Sequence, residues 1–437
     1  MEFGRHIGRG SWAFADKALP ALYGIGFVFL VARVLPREEY GSFIVVQTIF
    51  NIISALSFTL ALQPLTKFAA ESDQPGPYAV ASLLLQAMFF GVASLLVFFL
   101  KDPLAALLDP VRQIQLSHLL LYIPFMLLAS YYRNFAVSLL QSKFRVERIF
   151  WIDTMYFGGV MLLVYCAGRA GYFTTASDLL AITVIALALS TLIAILLTYR
   201  HVSLRGSEYR AAMAKIWHLG KYLFGGNVTY TLFSQMDVFF VTSLGGPAAV
   251  ATYYNAKLFT RAFDLHSQVL QMFLVPFSSK LTARGSTKEL LDVIEKSICF
   301  SIILLLPVCF IMLAFPGPLV HMLFKGKYDD AIPIVRVFSV LALLVPWTGV
   351  IVSYLIGSGK VKRALYIGAL QLVLAAAAYL LFTYLYGAVG TSIGFVLTFG
   401  VVTALLVRSV KREIPLTLLS VLRRTADIRE FIRKRTL

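Results

Sequence analysis

The chain alternates long apolar stretches with short polar breaks. Twelve of the stretches approach the roughly 20 residues that a helix needs to cross a bilayer. They cover residues 12–35, 42–68, 78–100, 116–140, 149–168 and 179–199 in the first half. In the second half they cover 222–244, 248–275, 290–315, 332–357, 364–386 and 389–407. The breaks are too short to fold as soluble domains. This pattern predicts an all-α polytopic membrane protein.

One stretch departs from the pattern. Between 248 and 275, Tyr254, Lys257, Arg261, Asp264, Gln268 and Gln271 recur at steps of three and four, which places them on one face of an α-helix. Each charge at a bilayer centre costs roughly 2.5–3.5 kcal/mol, so three cost about 8–10, and some ten large apolar residues return only about 3–6 kcal/mol. That face is therefore expected to line water, a partner helix or a substrate path, not lipid.

Composition agrees with membrane insertion. Of 437 residues, 59% are hydrophobic and 14% charged, where a soluble domain carries about 25% charged residues. The mean hydropathy is +0.79. The net charge of +17 could suggest nucleic acid, but the basic residues fall in short loops and not in one patch, so no nucleic-acid partner is expected. Arg5, Arg9, Lys143, Arg145, Arg148, Arg200, Arg205, Lys280, Arg284, Lys360 and Lys362 all fall on one set of loops, and by the positive-inside rule both termini are expected to be cytoplasmic. Residues 1–11 are basic, with no small-residue cleavage site behind a short apolar core, so no removable signal peptide is expected. Cys166, Cys299 and Cys309 lie in apolar stretches without metal-ligand spacing, and neither a metal site nor a disulfide framework is expected.

The two halves resemble one another at an offset of 212–216 residues. Gln63-Pro64-Leu65-Thr66-Lys67 matches Val275-Pro276-Phe277-Ser278-Ser279-Lys280, Asp102-Pro103-Leu104 matches Gly317-Pro318-Leu319, and Leu140-Gln141-Ser142-Lys143 matches Ile356-Gly357-Ser358-Gly359-Lys360. A repeat of six helices, an even number, inserts with the same orientation as its copy. The expected architecture is two six-helix lobes in a parallel pseudo-two-fold repeat. The boundaries follow: a first lobe at 1–199, a basic linker at 200–221, a second lobe at 222–408 and a basic tail at 409–437. For the tail, an interfacial helix held by anionic lipid and a solvated positive-inside segment both fit its mixture of Leu418, Leu422, Ile428 and Ile432 with arginines.

Three motifs carry a family resemblance: 32–41 (ARVLPREEYG), 235–256 (QMD…LGGP…YYNA) and 323–331 (LFKGKYDDA). Together with the twelve stretches they resemble the polysaccharide flippases of the multidrug/oligosaccharidyl-lipid/polysaccharide exporter superfamily. The resemblance implies a V-shaped pair of lobes around a cationic central cavity. It also implies export of an undecaprenyl-diphosphate-linked oligosaccharide across the bacterial inner membrane, for surface polysaccharide synthesis, with a glycan polymerase or glycosyltransferases as partners.

Several residues could do this work. Arg261, about 20 Å along the helix from Ala248, presents a planar fork of donors suited to a diphosphate, and Lys257 adds a point charge one turn away. Asp264 could hold Arg261 when substrate is absent. Alternatively Lys257 and Arg261 share Asp264 and Asp237 in a cluster that only fixes packing. Asp237, on a stripe with Asn227, Thr231 and Ser234, is a charge partner or a cation-coupling group. Gln47, Asn51 and Ser54 form the uncharged counterpart in the second stretch; with Asn227 and Gln268 they could meet sugar hydroxyls or bond between helices. Arg133 is a first contact for the diphosphate or snorkels to headgroups. Asp16 and Lys17 form a snorkelling pair or, as the resemblance suggests, part of the charged path. Arg33 is expected in an outer-loop pair with Glu38 or Glu39.

Two other functions compete. A drug/cation antiporter of the same superfamily has the same helix count but favours acidic cavity residues, whereas Lys257, Arg261 and Arg133 outweigh the buried acids here. A membrane-embedded glycan polymerase, an enzyme, needs a sizeable outer loop or an acidic catalytic motif, and neither is evident. No cofactor is expected. Proton or sodium coupling, membrane potential and glycan consumption outside the cell all remain as driving forces.

Overall fold

The computed structural model describes residues 12, 15, 19–20, 22–24, 26–72, 75–110, 116–199, 209–411 and 413–425; Asp16 and Lys17 lie outside them. An apolar helical run occupies Leu22–Ala32. The principal helices that follow are α1 (Arg37–Glu71), α2 (Gly76–Leu108), α3 (Tyr122–Ser142), α4 (Val146–Arg169) and α5 (Ala176–Thr198). After these come α6 (Tyr209–Lys257), α7 (Arg261–Ala283), α8 (Thr287–Ala314), α9 (Ile332–Ser339), α10 (Leu341–Gly357), α11 (Val361–Val410) and α12 (Leu418–Arg423). No strand occurs among the described residues.

Every expected stretch from the second to the twelfth runs along a helix, but the count of spans differs from twelve. Among the described residues six helices (α1, α2, α4, α5, α8 and α11) are long and apolar enough to cross a membrane, and a seventh span arises if the bent pair α9–α10 is taken together. The difference has physical causes. The 50-residue α11 absorbs two expected stretches and bends between them at Gly387, where φ is 58°. α3, α6 and α7 are outside the six, and they are the helices that carry Arg133, Asp237, Lys257, Arg261 and Asp264.

Two compact units are found, Met1–Ala251 and Thr252–Leu437, so the helix beginning at Tyr209, inside the expected linker, packs with the first unit. A Cβ on Gly220 would lie 2.1 Å from the Leu60 carbonyl oxygen, and one on Gly41 would lie 1.7 Å from that of Pro247. Only glycine allows backbones this close. The second contact joins two of the resemblance motifs, Tyr40-Gly41 and Gly246-Pro247, and gives both a structural purpose. Glu39 of the same motif accepts the Ala176 N–H at 2.6 Å and, with Asp178 of the Thr175 capping box, places acidic groups at the N-terminus of α5.

The second unit is built on α7, α8, α10 and α11 around Leu274, Leu281, Ile294, Ile298, Val350 and Leu406. Gly357 at the end of α10 meets the Val275 carbonyl of α7, where a Cβ would approach to 2.5 Å. Two of the repeat motifs, Val275–Lys280 and Ile356–Lys360, therefore pack on each other.

The described part of the tail is not a freely solvated segment, and α12 leaves Leu418, Leu419 and Leu422 exposed on its outer face. Ile414, Leu416 and Val421 are buried, α12 carries its own Thr417–Ser420 capping box, and Arg424 is paired with Asp292 and Glu295 of α8. The tail to residue 425 is a docked piece of the second unit. Ile428 and Ile432 lie outside the described residues.

Candidate functional site

The stripe that cannot face lipid is not one continuous α-helix. A 3-10 turn at Leu258–Thr260 separates Lys257, the last residue of α6, from Arg261, the first of α7. A 3-10 turn advances faster than an α-helix and rotates the following side chains by roughly 60° over three residues. No glycine or proline between 254 and 264 signals the break. Even so, Arg261 reaches back over it, donating from Nη2 to the Tyr254 hydroxyl at 3.4 Å.

α7 buries Phe263, Leu274, Ser278 and Leu281 in its own unit and leaves Arg261, Asp264 and Gln268 exposed, with Gln271 half-buried. Lys257 is half-buried, with its ammonium 5.7 Å from the Phe395 ring centroid. Among the described residues no ion pair within 4 Å joins Arg261 to Asp264, although the carboxylate lies close enough to Arg261 and Lys257 to interact with both electrostatically. On the exposed face of α7 itself, Arg261 and Asp264 carry opposite charges, and Lys257 stands across the 3-10 turn at the end of α6.

On α6, Asp237 is fully buried and its Oδ1 accepts the Val238 N–H at 2.9 Å. Asn227 donates to the Ala55 carbonyl of α1 at 3.4 Å, which fits the bonding-between-helices reading. Ser234 donates to the Thr231 carbonyl on its own helix. On α1 the neutral counterpart is partly self-satisfied: Gln47 Nε2 donates to Asn51 Oδ1 at 3.1 Å. Asn51 is exposed, while Gln47 Oε1 and Ser54 Oγ are buried without a hydrogen bond among the described residues. Such groups cost free energy unless a ligand, water or movement satisfies them. Gln268 is exposed on the α7 stripe.

Arg133 neither snorkels nor stands free. Its Nη2 donates to Asp153 of α4, its Nε to Ser190 Oγ of α5 at 3.0 Å, and its Nη1 to Asn134 at 3.3 Å. The guanidinium also lies 5.1 Å from the Tyr156 ring centroid. Ser190 is itself oriented by donating to the Ile152 carbonyl at 2.7 Å. The expectations for Arg133 missed Asp153, although a signal existed: it is the lone acid in stretch 149–168, and an acid at that depth needs a cationic partner.

The described residues contain no group of three or more His, Cys, Asp or Glu placed to hold a metal. What the exposed α7 face offers is a guanidinium and an ammonium among amides and hydroxyls. Such a set has the donors to hold an anion carrying polar groups.

Comparisons with known proteins bear on what that anion is. A probable low-salt glycan biosynthesis flippase of Haloferax volcanii is 23% identical over 323 residues, covering 71% of this chain and 64% of that protein. The chain spans less than two thirds of the length of the curated relatives it matches. Among solved structures, an inward-facing multidrug resistance MATE family transporter of the MOP superfamily superposes with a TM-score of 0.75 at 15% identity, over 92% of this chain and 98% of that one. The lipid II flippase MurJ in an inward closed conformation gives 0.70 at 13% identity, over 95% and 89%. These likenesses establish the fold. The family model for "polysaccharide biosynthesis protein" matches residues 30–333, and with that match over most of its length this chain, a multi-pass membrane protein with the MOP-superfamily fold, belongs to the polysaccharide biosynthesis protein family.

Proposed function

We propose that the protein is a flippase for an undecaprenyl-diphosphate-linked oligosaccharide, carrying it from the inner to the outer leaflet of the bacterial inner membrane for surface polysaccharide synthesis. The observation that carries the reading is Arg261, exposed on α7 within an apolar stretch and held by one long hydrogen bond, to the Tyr254 hydroxyl, with Lys257 one turn away at the end of α6. A diphosphate is the anion that a guanidinium fork and a neighbouring ammonium hold well. The exposed amides of Asn51 and Gln268 suit the glycan. The family and the curated glycan flippase relative support the same cargo class.

The mechanism in this proposal is alternating access by the two sequence copies, 1–199 and 222–408, with the termini in the cytoplasm and a glycan polymerase or glycosyltransferases receiving the product. The bond from Asn227 to the Ala55 carbonyl joins the two copies and is one that the cycle would break and remake. A proton or sodium gradient drives the cycle in one form of this scheme, glycan consumption in another.

The test is reconstitution of the full chain in vesicles with lipid-diphosphate glycans. A hydrogen bond to a charged group is worth about 1.5–3 kcal/mol, so Arg261→Ala is expected to slow translocation roughly ten- to a hundredfold, with Arg261→Lys in between. Unchanged translocation by a folded Arg261→Ala protein rejects the anion site. Export of cationic dyes in place of the glycan supports a drug/cation antiporter, and imposed proton or sodium gradients in the same vesicles separate the driving forces.

A further inference from the structure

The second unit gathers cations where α11 begins and ends. Lys360 and Arg363 both bond to Glu413, at 2.5 and 2.8 Å, and Arg363, Arg408, Ser409 and Glu413 line a cavity of about 400 Å³. That cavity holds its own counter-charge and has no need of an anion. Arg408 and Lys411 differ from their neighbours. Both are exposed, and among the described residues neither has a hydrogen bond or an ion pair.

These two residues stand at the mouth of a separate groove of about 780 Å³ between α10 and α11. Its walls are apolar, formed by Leu344 and Trp347 of α10 and by Gly400 and Ala404 of α11. Gly400 lies eight residues before Arg408, so the groove runs about 12 Å along the helix below the cations. It stays open because the α11 side is built of small residues; a Cβ at Gly400 would lie 3.7 Å from Leu344 Cδ1. An apolar trench ending in two uncompensated cations at the end of a spanning helix has the polarity of one lipid, chain below and anionic headgroup above. Basic pockets between transmembrane helices recognise anionic headgroups in this way.

We propose that this groove is a binding site for a single anionic glycerophospholipid, with its acyl chain along Leu344, Trp347, Gly400 and Ala404 and its phosphate on Arg408 and Lys411. The site involves none of the α7 stripe and does not depend on the identity of the cargo. A zwitterionic lipid would bring an ammonium group to a groove whose own charged residues, Arg408 and Lys411, are both cationic, the nearby Glu413 being taken up by Lys360 and Arg363. The polyprenyl carrier would have to give up these interfacial cations in order to cross the membrane. The occupant is therefore a resident lipid, not the cargo.

The test uses the full chain with Trp12, Trp151 and Trp217 changed to Phe, so that Trp347 alone reports. It is reconstituted in phosphatidylcholine vesicles containing dibrominated phosphatidylglycerol or dibrominated phosphatidylcholine as quencher. The expected result is a preference for the anionic quencher of about fivefold to thirtyfold, the range that two cations near an anionic headgroup supply. Arg408→Ala with Lys411→Ala removes that preference, Arg408→Lys with Lys411→Arg retains it, and Gly400→Leu reduces quenching by both lipids because it fills the trench. Equal quenching by the two lipids in the parent protein, or a preference that survives loss of both cations, overturns the proposal. So does displacement of the quencher by undecaprenyl phosphate at lower mole fraction than by phosphatidylglycerol, which would make the groove a carrier site. Size-exclusion profiles and the conservative pair keep misfolding from being read as lost binding.

Discussion

Two arginines on apolar stretches, one in each compact unit, are treated in opposite ways. Arg133 is tied on every side: Asp153 neutralises it, Ser190 and Asn134 take its other donors, and Tyr156 lies against its face. Its side chain is 14% exposed. Arg261 is exposed, has one long bond to Tyr254, and has no ion pair among the described residues. In the sequence both are arginines on apolar stretches, Arg133 directly after Tyr131 and Tyr132, and Arg261 four residues from Lys257 and three from Asp264. The fold makes one a structural strut and leaves the other available to an outside anion. Intramembrane charge therefore identifies a candidate site only after its partners have been counted.

The largest effect that could break this comparison is on the strut. Removing one partner of a buried pair leaves an uncompensated charge, at a cost of about 3–5 kcal/mol. Asp153→Asn should therefore lower thermal stability sharply, and Arg133→Met combined with Asp153→Leu should recover most of the loss, since replacing both charges with apolar groups is often neutral. Detergent-solubilised protein followed by thermal melting reads both. If Asp153→Asn melts like the parent, Arg133 is not structurally committed and returns to the list of cargo contacts.

Between these extremes lies the cluster that holds the end of α11. Burial pushes the Glu413 carboxyl up, but hydrogen bonds from Lys360, Tyr354 and Arg363 outweigh that and hold it below its ordinary value. Burial likewise pulls Lys360 down, and its bonds to Glu413 and Tyr354 overcome this and hold it above. The signs set a window. The depressed Glu413 contributes stability that is present above the unfolded carboxyl pKa, about 4.3, and is lost as pH falls through its lower folded value. The raised Lys360 contributes stability that is present below about 10.4 and is lost as pH rises through its higher folded value. The cluster is therefore at full strength across neutral pH. With Glu413 28% exposed, its worth is on the order of 1 kcal/mol. Glu413→Gln should flatten the acid side of the melting-temperature profile, and an unchanged acid side would show the cluster to be idle.

Much of this arrangement was legible in the chain. Apolar runs fixed where the helices lie from residue 37 onward. Glycines in the resemblance and repeat motifs turned out to be contact points, Gly41 on Pro247 and Gly357 on Val275, which no linear pattern announces because the partner lies far along the chain. The 3-10 turn at 258–260 was illegible for another reason: Leu258, Phe259 and Thr260 have ordinary helix propensities, with no glycine or proline among them to mark a break. The pairing of Arg133 with Asp153 lay between these cases. Each charge was visible, but choosing the partner required knowing that α3, α4 and α5 pack together. Spacing alone could not say how closely Asp264 holds Arg261: three residues is an ion-pair distance on an ideal helix, yet the guanidinium donates to Tyr254 while Asp264 interacts with it only at longer range.

That last point sets the smallest effect and the sharpest test. If Asp264 does not hold Arg261 structurally, then Asp264→Asn removes an exposed charge that makes no hydrogen bond or close ion pair, and its effect on stability should stay within about 0.5 kcal/mol, as for surface substitutions elsewhere. The same change raises the net charge of the α7 stripe from +1 to +2 by removing one negative group. It should therefore tighten rather than weaken the hold on a lipid diphosphate, and that binding should become more sensitive to salt. A structural cluster gives the opposite pair of results: a clear loss of melting temperature, with cargo affinity unchanged or reduced. Melting and diphosphate-lipid binding measured on the one variant thus decide whether the stripe is built for an anion or for itself.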